Sequence, residues 1–223
     1  MMERDISLES RLRQSQVGHR CYESTDPDEL ARLKKMVKEG TVLSPAPQLF
    51  ARSEYWADLT EQERALHCMR AIQRSHVDCV FASMSAGLVW GLAVPDEHAW
   101  PLRLAKRRGN GGWGSATLMR QAVENDEACL VNQLRVTSFV RTTFDCLREL
   151  EFEEGLVLAD SALAIRGLTS DELVERLEAV RKTTPGGLHA VEIARYAKPL
   201  RGGGLSLACS RGRAWLRAAG RAG

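Results

Sequence analysis

Arg141 and Asp160 are the first residues in this chain to suggest chemistry, because neither has a local explanation. Phe139, Val140, Phe144, Leu147 and Leu150 repeat at helical spacing behind Ser138, a good N-cap. Arg141 therefore falls near the positive end of that helix, where the dipole disfavours a cation. Its i+4 neighbour Asp145 stands in the weaker basic-before-acidic order. Asp160 is the only charge between Gly155 and Ile165, and no basic residue lies three or four positions from it. A carboxylate on a buried face needs a partner, so Arg141 is expected to reach Asp160, Asp145 or both. Such a group is either a catalytic or ligand site or a structural ion pair bracing two packed helices. The bracing role is the expectation.

No reactive constellation joins them. The five histidines (19, 67, 76, 98 and 189) show no HExxH and no pair at ligand spacing. The six cysteines (21, 68, 79, 129, 146 and 209) form no CxxC and read as reduced thiols. GLVWG lacks the serine of a nucleophile elbow. None of the six lysines follows an acidic residue by two positions, so the D/E-x-K signature of many nucleases is absent. Gly114-Ser115 followed by Glu124-Asn125-Asp126 is a loose echo of a nucleotidyltransferase. The loop KRRGNGGWGS offers backbone amides to a phosphate, yet it fits neither the P-loop nor the dinucleotide pattern. A non-enzyme is expected, with no metal and no cofactor.

Binding chemistry is concentrated near the N-terminus. Ser24-Thr25-Asp26-Pro27-Asp28-Glu29 is a strong helix start, and the helix it opens ends at Gly40. Leu30, Leu33, Met36 and Val37 mark its inner side, while Arg32, Lys34, Lys35 and Lys38 mark the other. TVLS and LFAR then flank Pro45-Ala46-Pro47-Gln48 as a two-stranded wing ending at Arg52. Helix, basic helix and hairpin is the order of a winged helix-turn-helix. Arg32, Lys34, Lys35, Lys38 and Arg52 are thus the expected contacts to double-stranded DNA. A solvated basic helix face beside an ordinary hairpin is the plainer alternative.

The remaining elements follow from caps and periodicity. Residues 6–16 form a short helix capped at Ser7, and Thr60 with Glu63 makes a capping box for a helix to about Ser75. Cys79–Ala82 reads as a strand and Ser83 as the cap of a helix ending near Gly91. Strands are expected at 101–106 and 115–121, with a hairpin of 129–131 and 134–137. Helices run from Phe152 to Ile165, from a Thr169/Glu172 capping box to Lys182, and from Thr184-Pro185 to Ala197. The fold class is α+β: a winged-helix-like module over 1–58, then a mixed helical domain with a small antiparallel sheet over 59–199. Residues 200–223 form a basic, weakly ordered tail. No apolar run reaches the length of a membrane span, and the charged N-terminus is not a signal peptide, so a cytoplasmic protein is expected. The net charge of +2 hides an asymmetry, because five arginines fall in residues 201–223 and no acidic residue follows Glu192.

Three segments together resemble a known family. ASMSAGLVWGLAVP, LRVTSFVRTTFDCLREL and GLVLADSALAIRGLTSDEL are similar to the AbiEi-like antitoxins of bacterial type IV toxin–antitoxin systems. The matching positions are Ser85, Ala86, Gly91 and Leu92; Val136, Thr137, Ser138, Arg141, Thr142 and Asp145; and Asp160, Ala162 and Leu163. Asp28 to Arg52 also looks similar to that family's winged-helix part, so the resemblance covers about residues 26–200. It implies a transcriptional regulator that binds its own operon promoter and counters a nucleotidyltransferase toxin, without catalysis of its own. Many related chains continue through a Gly-Glu-Ser-containing helix into a very-short-patch-repair-like endonuclease domain. Here that place reads Gly203-Gly204-Leu205-Ser206, which implies a truncated or frame-shifted form. The rivals are a remnant of such an endonuclease, or a diverged nucleotidyltransferase.

Overall fold

Ser7, Asp26, Thr60, Ser138 and Thr169 each accept a backbone N–H from the first turn of the helix behind them, and so fix where five helices begin. The computed structural model describes residues 7–106, 118–122 and 128–199. Among them stand nine α-helices and seven short strands, an α+β fold. The Gly-rich loop, Gly114-Ser115, the Glu124–Asp126 pair and the basic tail all lie outside the described residues. The chain divides into two units, Met1–Cys79 and Val80–Gly223.

The first unit runs α1 (Leu8–Val17), β1 (Tyr22–Glu23), α2 (Pro27–Lys38), β2 (Val42–Ala46), β3 (Leu49–Arg52), α3 (Ser53–Ala57) and α4 (Glu61–Ser75). Its sheet is antiparallel in the order β1-β3-β2, with Tyr22 opposite Phe50 and Val42 opposite Arg52. The register shifts between Leu43 and Ala46, around Pro45, which has no N–H to give to a ladder. One cluster of Leu8, Leu12, Leu33, Val42 and Phe50 packs α1 and α2 onto the sheet. Leu33 is fully buried, whereas Val37, expected on the same inner side, is 37% exposed.

Helix α4 falls inside this compact unit, which runs to Cys79. The reason is a set of long-range bonds. Cys21 N donates to His67 O at 3.1 Å, Arg70 donates to His19 O at 2.9 Å, and Ser75 Oγ donates to Glu23 Oε2 at 2.6 Å.

The second unit contains α5 (Ser83–Trp90), β4 (Leu102–Lys106), β5 (Leu118–Ala122), β6 (Cys129–Val131), β7 (Leu134–Val136), α6 (Phe139–Glu149), α7 (Phe152–Arg166), α8 (Ser170–Arg181) and α9 (Leu188–Tyr196). Strands β6 and β7 form the expected antiparallel hairpin. Its turn residues Asn132 and Gln133 have φ of 48° and 66°, the positive pair that matches the twist of such strands. Strands β4 and β5, by contrast, run parallel. The expected strand at Cys79–Ala82 reduces to Phe81, which bridges both Leu104 and Val136.

Close packing joins the helices of this unit. A side chain at Gly187 would meet the Phe144 ring of α6, and one at Gly155 of α7 would meet Ile193 of α9. Helix α9 begins at Leu188, later than the Thr184-Pro185 signal, because Gly187 is its cap and the Thr184 hydroxyl is used by Arg141. At the end of α9, Lys198 N donates to Asp160 Oδ1 at 2.7 Å, which ties that end to α7.

Candidate nucleic-acid interface

Helix α2 has a clear inside and outside. Asp26 caps it, Pro27 opens it, and Asp28 and Glu29 occupy the first turn, where carboxylates suit the dipole. Glu29 points inward and accepts from Tyr22 Oη and Ser24 Oγ, each at 2.7 Å, and pairs with Arg11 of α1. The Tyr22 hydrogen bond leads in holding its carboxyl below the usual range, with Ser24 and the Arg11 charge adding to it. These three partners, from β1, the following loop and α1, fix the rotation of α2 about its own axis.

With 3.6 residues per turn, the outer arc then carries Lys34 and Lys38 one turn apart, and Arg32 and Lys35 beside them. All four side chains are exposed, as is Ala31 in the middle of the arc. Lys35 approaches Glu39 at 3.8 Å across solvent-exposed side chains, a contact of little energetic weight. Lys35 and Lys38 also suit the negative end of the helix. That explanation does not extend to Arg32 and Lys34, which sit before the last turn.

Arg52 differs from the other four. It lies at the base of the β2–β3 hairpin, half-buried, bonded to Gln16 Oε1 and to Glu54 Oε2, each at 3.3 Å. It lines a cleft of about 520 Å³ whose wall includes Glu9, Glu39 and Glu54. The tip of the hairpin instead presents Pro47 and Gln48, both exposed. The structure thus gathers Arg32, Lys34, Lys35 and Lys38 on one arc and gives Arg52 partners within its own unit.

The second candidate set resolves differently. Arg141 Nε donates to Asp145 Oδ2 at 2.8 Å, along α6, and its Nη1 donates to the Thr184 hydroxyl at 3.2 Å. Asp160 accepts from the Lys198 backbone, so the tie expected between α6 and α7 runs instead along α6 and out to the loop before α9. Asp145 is fully buried, and its Oδ1 has no hydrogen-bond partner among the described residues; the Arg148 guanidinium is 3.6 Å away. Burial raises the Asp145 carboxyl above its ordinary value, outweighing the opposing pull of Arg141 and Arg148.

One polar cluster has no counterpart in the sequence signals. Ser83 was expected to cap α5, but Ala82 holds that position in extended conformation, and Ser83 sits in the left-handed region at φ 46°. Its hydroxyl donates to Glu149 Oε1 at 2.8 Å, and Arg103 pairs with Glu149 Oε2 at 3.0 Å. Ser85 Oγ accepts from Arg103 N at 2.8 Å. These bonds join α5, β4 and the end of α6 over sequence separations that no local pattern reveals. The Cys146 thiol nearby is pushed well up by burial, so it is protonated and inert.

Among the described residues, no group of three or more His, Cys, Asp or Glu side chains could hold a metal ion. None of the described helices is long and apolar enough to cross a membrane. In comparisons with known proteins, neither a family model nor a curated protein matches the sequence.

Proposed function

We propose that the first unit binds double-stranded DNA through the outer arc of α2, with Arg32, Lys34, Lys35 and Lys38 neutralising phosphates. The observation that carries this reading is the exposure of four cations on a face whose rotation is fixed by Glu29. An antiparallel sheet in the order β1-β3-β2, with its hairpin directly after the basic helix, supports a winged-helix arrangement. The resemblance of the second unit's segments to AbiEi-like antitoxins extends the reading to an autoregulating antitoxin that counters a nucleotidyltransferase toxin and performs no catalysis of its own. The partner DNA would be the promoter of its own operon.

Fluorescence anisotropy on a labelled duplex from upstream of the gene tests the DNA half. Four phosphate contacts give a slope of about −3.6 in log affinity against log salt, or roughly a 150-fold loss from 50 to 200 mM. Replacing Lys34 and Lys38 with alanine should reduce the slope by about 2. No complex at 50 mM salt, or an unchanged slope in the double variant, would overturn it. The antitoxin half requires a nucleotidyltransferase gene beside this one, and growth of cells expressing that toxin with and without this chain tests it; no such gene, or no rescue, would refute it.

A further inference from the structure

Cys21 and Cys68 meet inside the first unit with their sulfurs 3.5 Å apart, although they are 47 positions apart in sequence. Both are buried, at 1% and 0% exposure. The backbone leading into Cys21 is pinned: Arg20 N donates to Ser15 O, Cys21 N to His67 O, and Arg70 to His19 O. Cys68 sits on α4, so the sulfurs face each other from two elements held in register by hydrogen bonds. Among the described residues, no group of three or more His, Cys, Asp or Glu side chains that could hold a metal forms around them.

We propose that Cys21 and Cys68 form a peroxide-sensitive dithiol that closes to an intramolecular disulfide. The Cys21 thiolate attacks one oxygen of hydrogen peroxide; the O–O bond breaks, hydroxide leaves and takes a proton, and a sulfenic acid remains. The Cys68 sulfur then attacks the Cys21 sulfur, forming the S–S bond and releasing the oxygen as a second water. Two thiols are oxidised by two electrons, and one peroxide is reduced to two waters. Its hydrogen bond with Cys21 and burial hold Cys68 protonated at rest, so its proton must pass to the departing oxygen as the sulfur attacks, which slows the second step. Burial also makes the reaction depend on brief opening of the Gly18–Cys21 turn, so it is slower than oxidation of an exposed thiol. The bond would close a loop containing all of α2, β2, β3 and α3. Nothing in this depends on the DNA-binding reading.

Peptide mapping of the full chain tests it, after graded hydrogen peroxide and alkylation under denaturing conditions. The expected result is a Cys21–Cys68 linked peptide pair, lighter by two hydrogens and reversed by dithiothreitol. Its formation should raise the apparent melting temperature of the first unit by about 5 °C or more. Cys21→Ala should abolish the link and leave Cys68 alkylatable. If the variant does not fold, the wild-type map alone decides. Links from Cys21 or Cys68 to other cysteines, or both thiols still free once the half-exposed Cys79 and Cys129 are oxidised, would overturn the proposal.

Discussion

Arg141→Ala should cost the second unit a large part of its stability. Three observations set the size. Asp145 is fully buried, its Oδ2 takes a 2.8 Å bond from Arg141, and its Oδ1 already lacks a hydrogen-bond partner among the described residues. Removing the guanidinium leaves a buried carboxylate with Arg148 at 3.6 Å as its remaining ion-pair partner among the described residues, beside the like charge of Glu149, and it also strips Thr184 of its donor. Breaking a buried pair in this way costs about 3–5 kcal/mol. At the few degrees per kcal/mol typical of domains of this size, the melting temperature should fall by roughly 10 °C. The deficit should depend on pH. The Asp145 carboxyl is already raised by burial, and losing Arg141 raises it further. Between the ordinary carboxylate value and that raised value, the folded state holds a proton that the unfolded state has released, so stability falls as pH rises. The variant should therefore lose most near neutrality and recover part of the loss in acid. Replacing both partners with apolar residues, Arg141→Met with Asp145→Leu, should restore much of it. Thermal unfolding followed by circular dichroism across pH checks all of this. A single variant melting within about 2 °C of the parent, or a deficit independent of pH, would refute the brace.

Other perturbations reach different parts of the fold. Gly187→Ala would set a methyl 2.1 Å from Phe144 Cζ, so a loss of about 1–3 kcal/mol is expected by denaturant unfolding. Gly155→Ala meets only the mobile end of Ile193 and should cost less in the same assay. Thr60→Ala removes the capping box of α4 and should cost about 1 kcal/mol in the first unit. His67 is held neutral by burial, with Nδ1–H donating to Glu63 O and Nε2 accepting from Tyr55 Oη. Its folded pKa lies below its unfolded one, so stability is full above about pH 6.5 and is lost as pH falls. Melting followed from about pH 7.5 to about pH 5.5 should show that loss, and His67→Gln should flatten it.

What the sequence made legible is local chemistry. Ser7, Thr60, Ser138 and Thr169 cap the helices they were expected to cap, and Gly167 ends α7 in the left-handed conformation. Each of those signals lies within four residues of its effect. Tyr22–Glu23 was invisible because two residues show no period, and its pairing with β3 spans more than twenty positions. The five-residue helix Ser53–Ala57 has no side-chain cap to announce it. Ser83 misled because a serine before an apolar run reads as a cap, whereas its hydroxyl answers Glu149, sixty-six positions away. Asp160 was rightly marked as needing a partner, yet a backbone N–H is a partner that no side-chain pattern can reveal. The basic arc of α2 was legible from spacing, while the three bonds that orient it through Glu29 were not.

The bond from Lys198 N to Asp160 also has a mechanical side. Ala197 is buried, and the next peptide is clamped by a carboxylate rooted in the middle of α7. Tension applied to the chain beyond residue 199 would load that clamp before it reached the last turn of α9. Whatever pulls on the chain from beyond residue 199 thus meets the Asp160 anchor before it reaches α9.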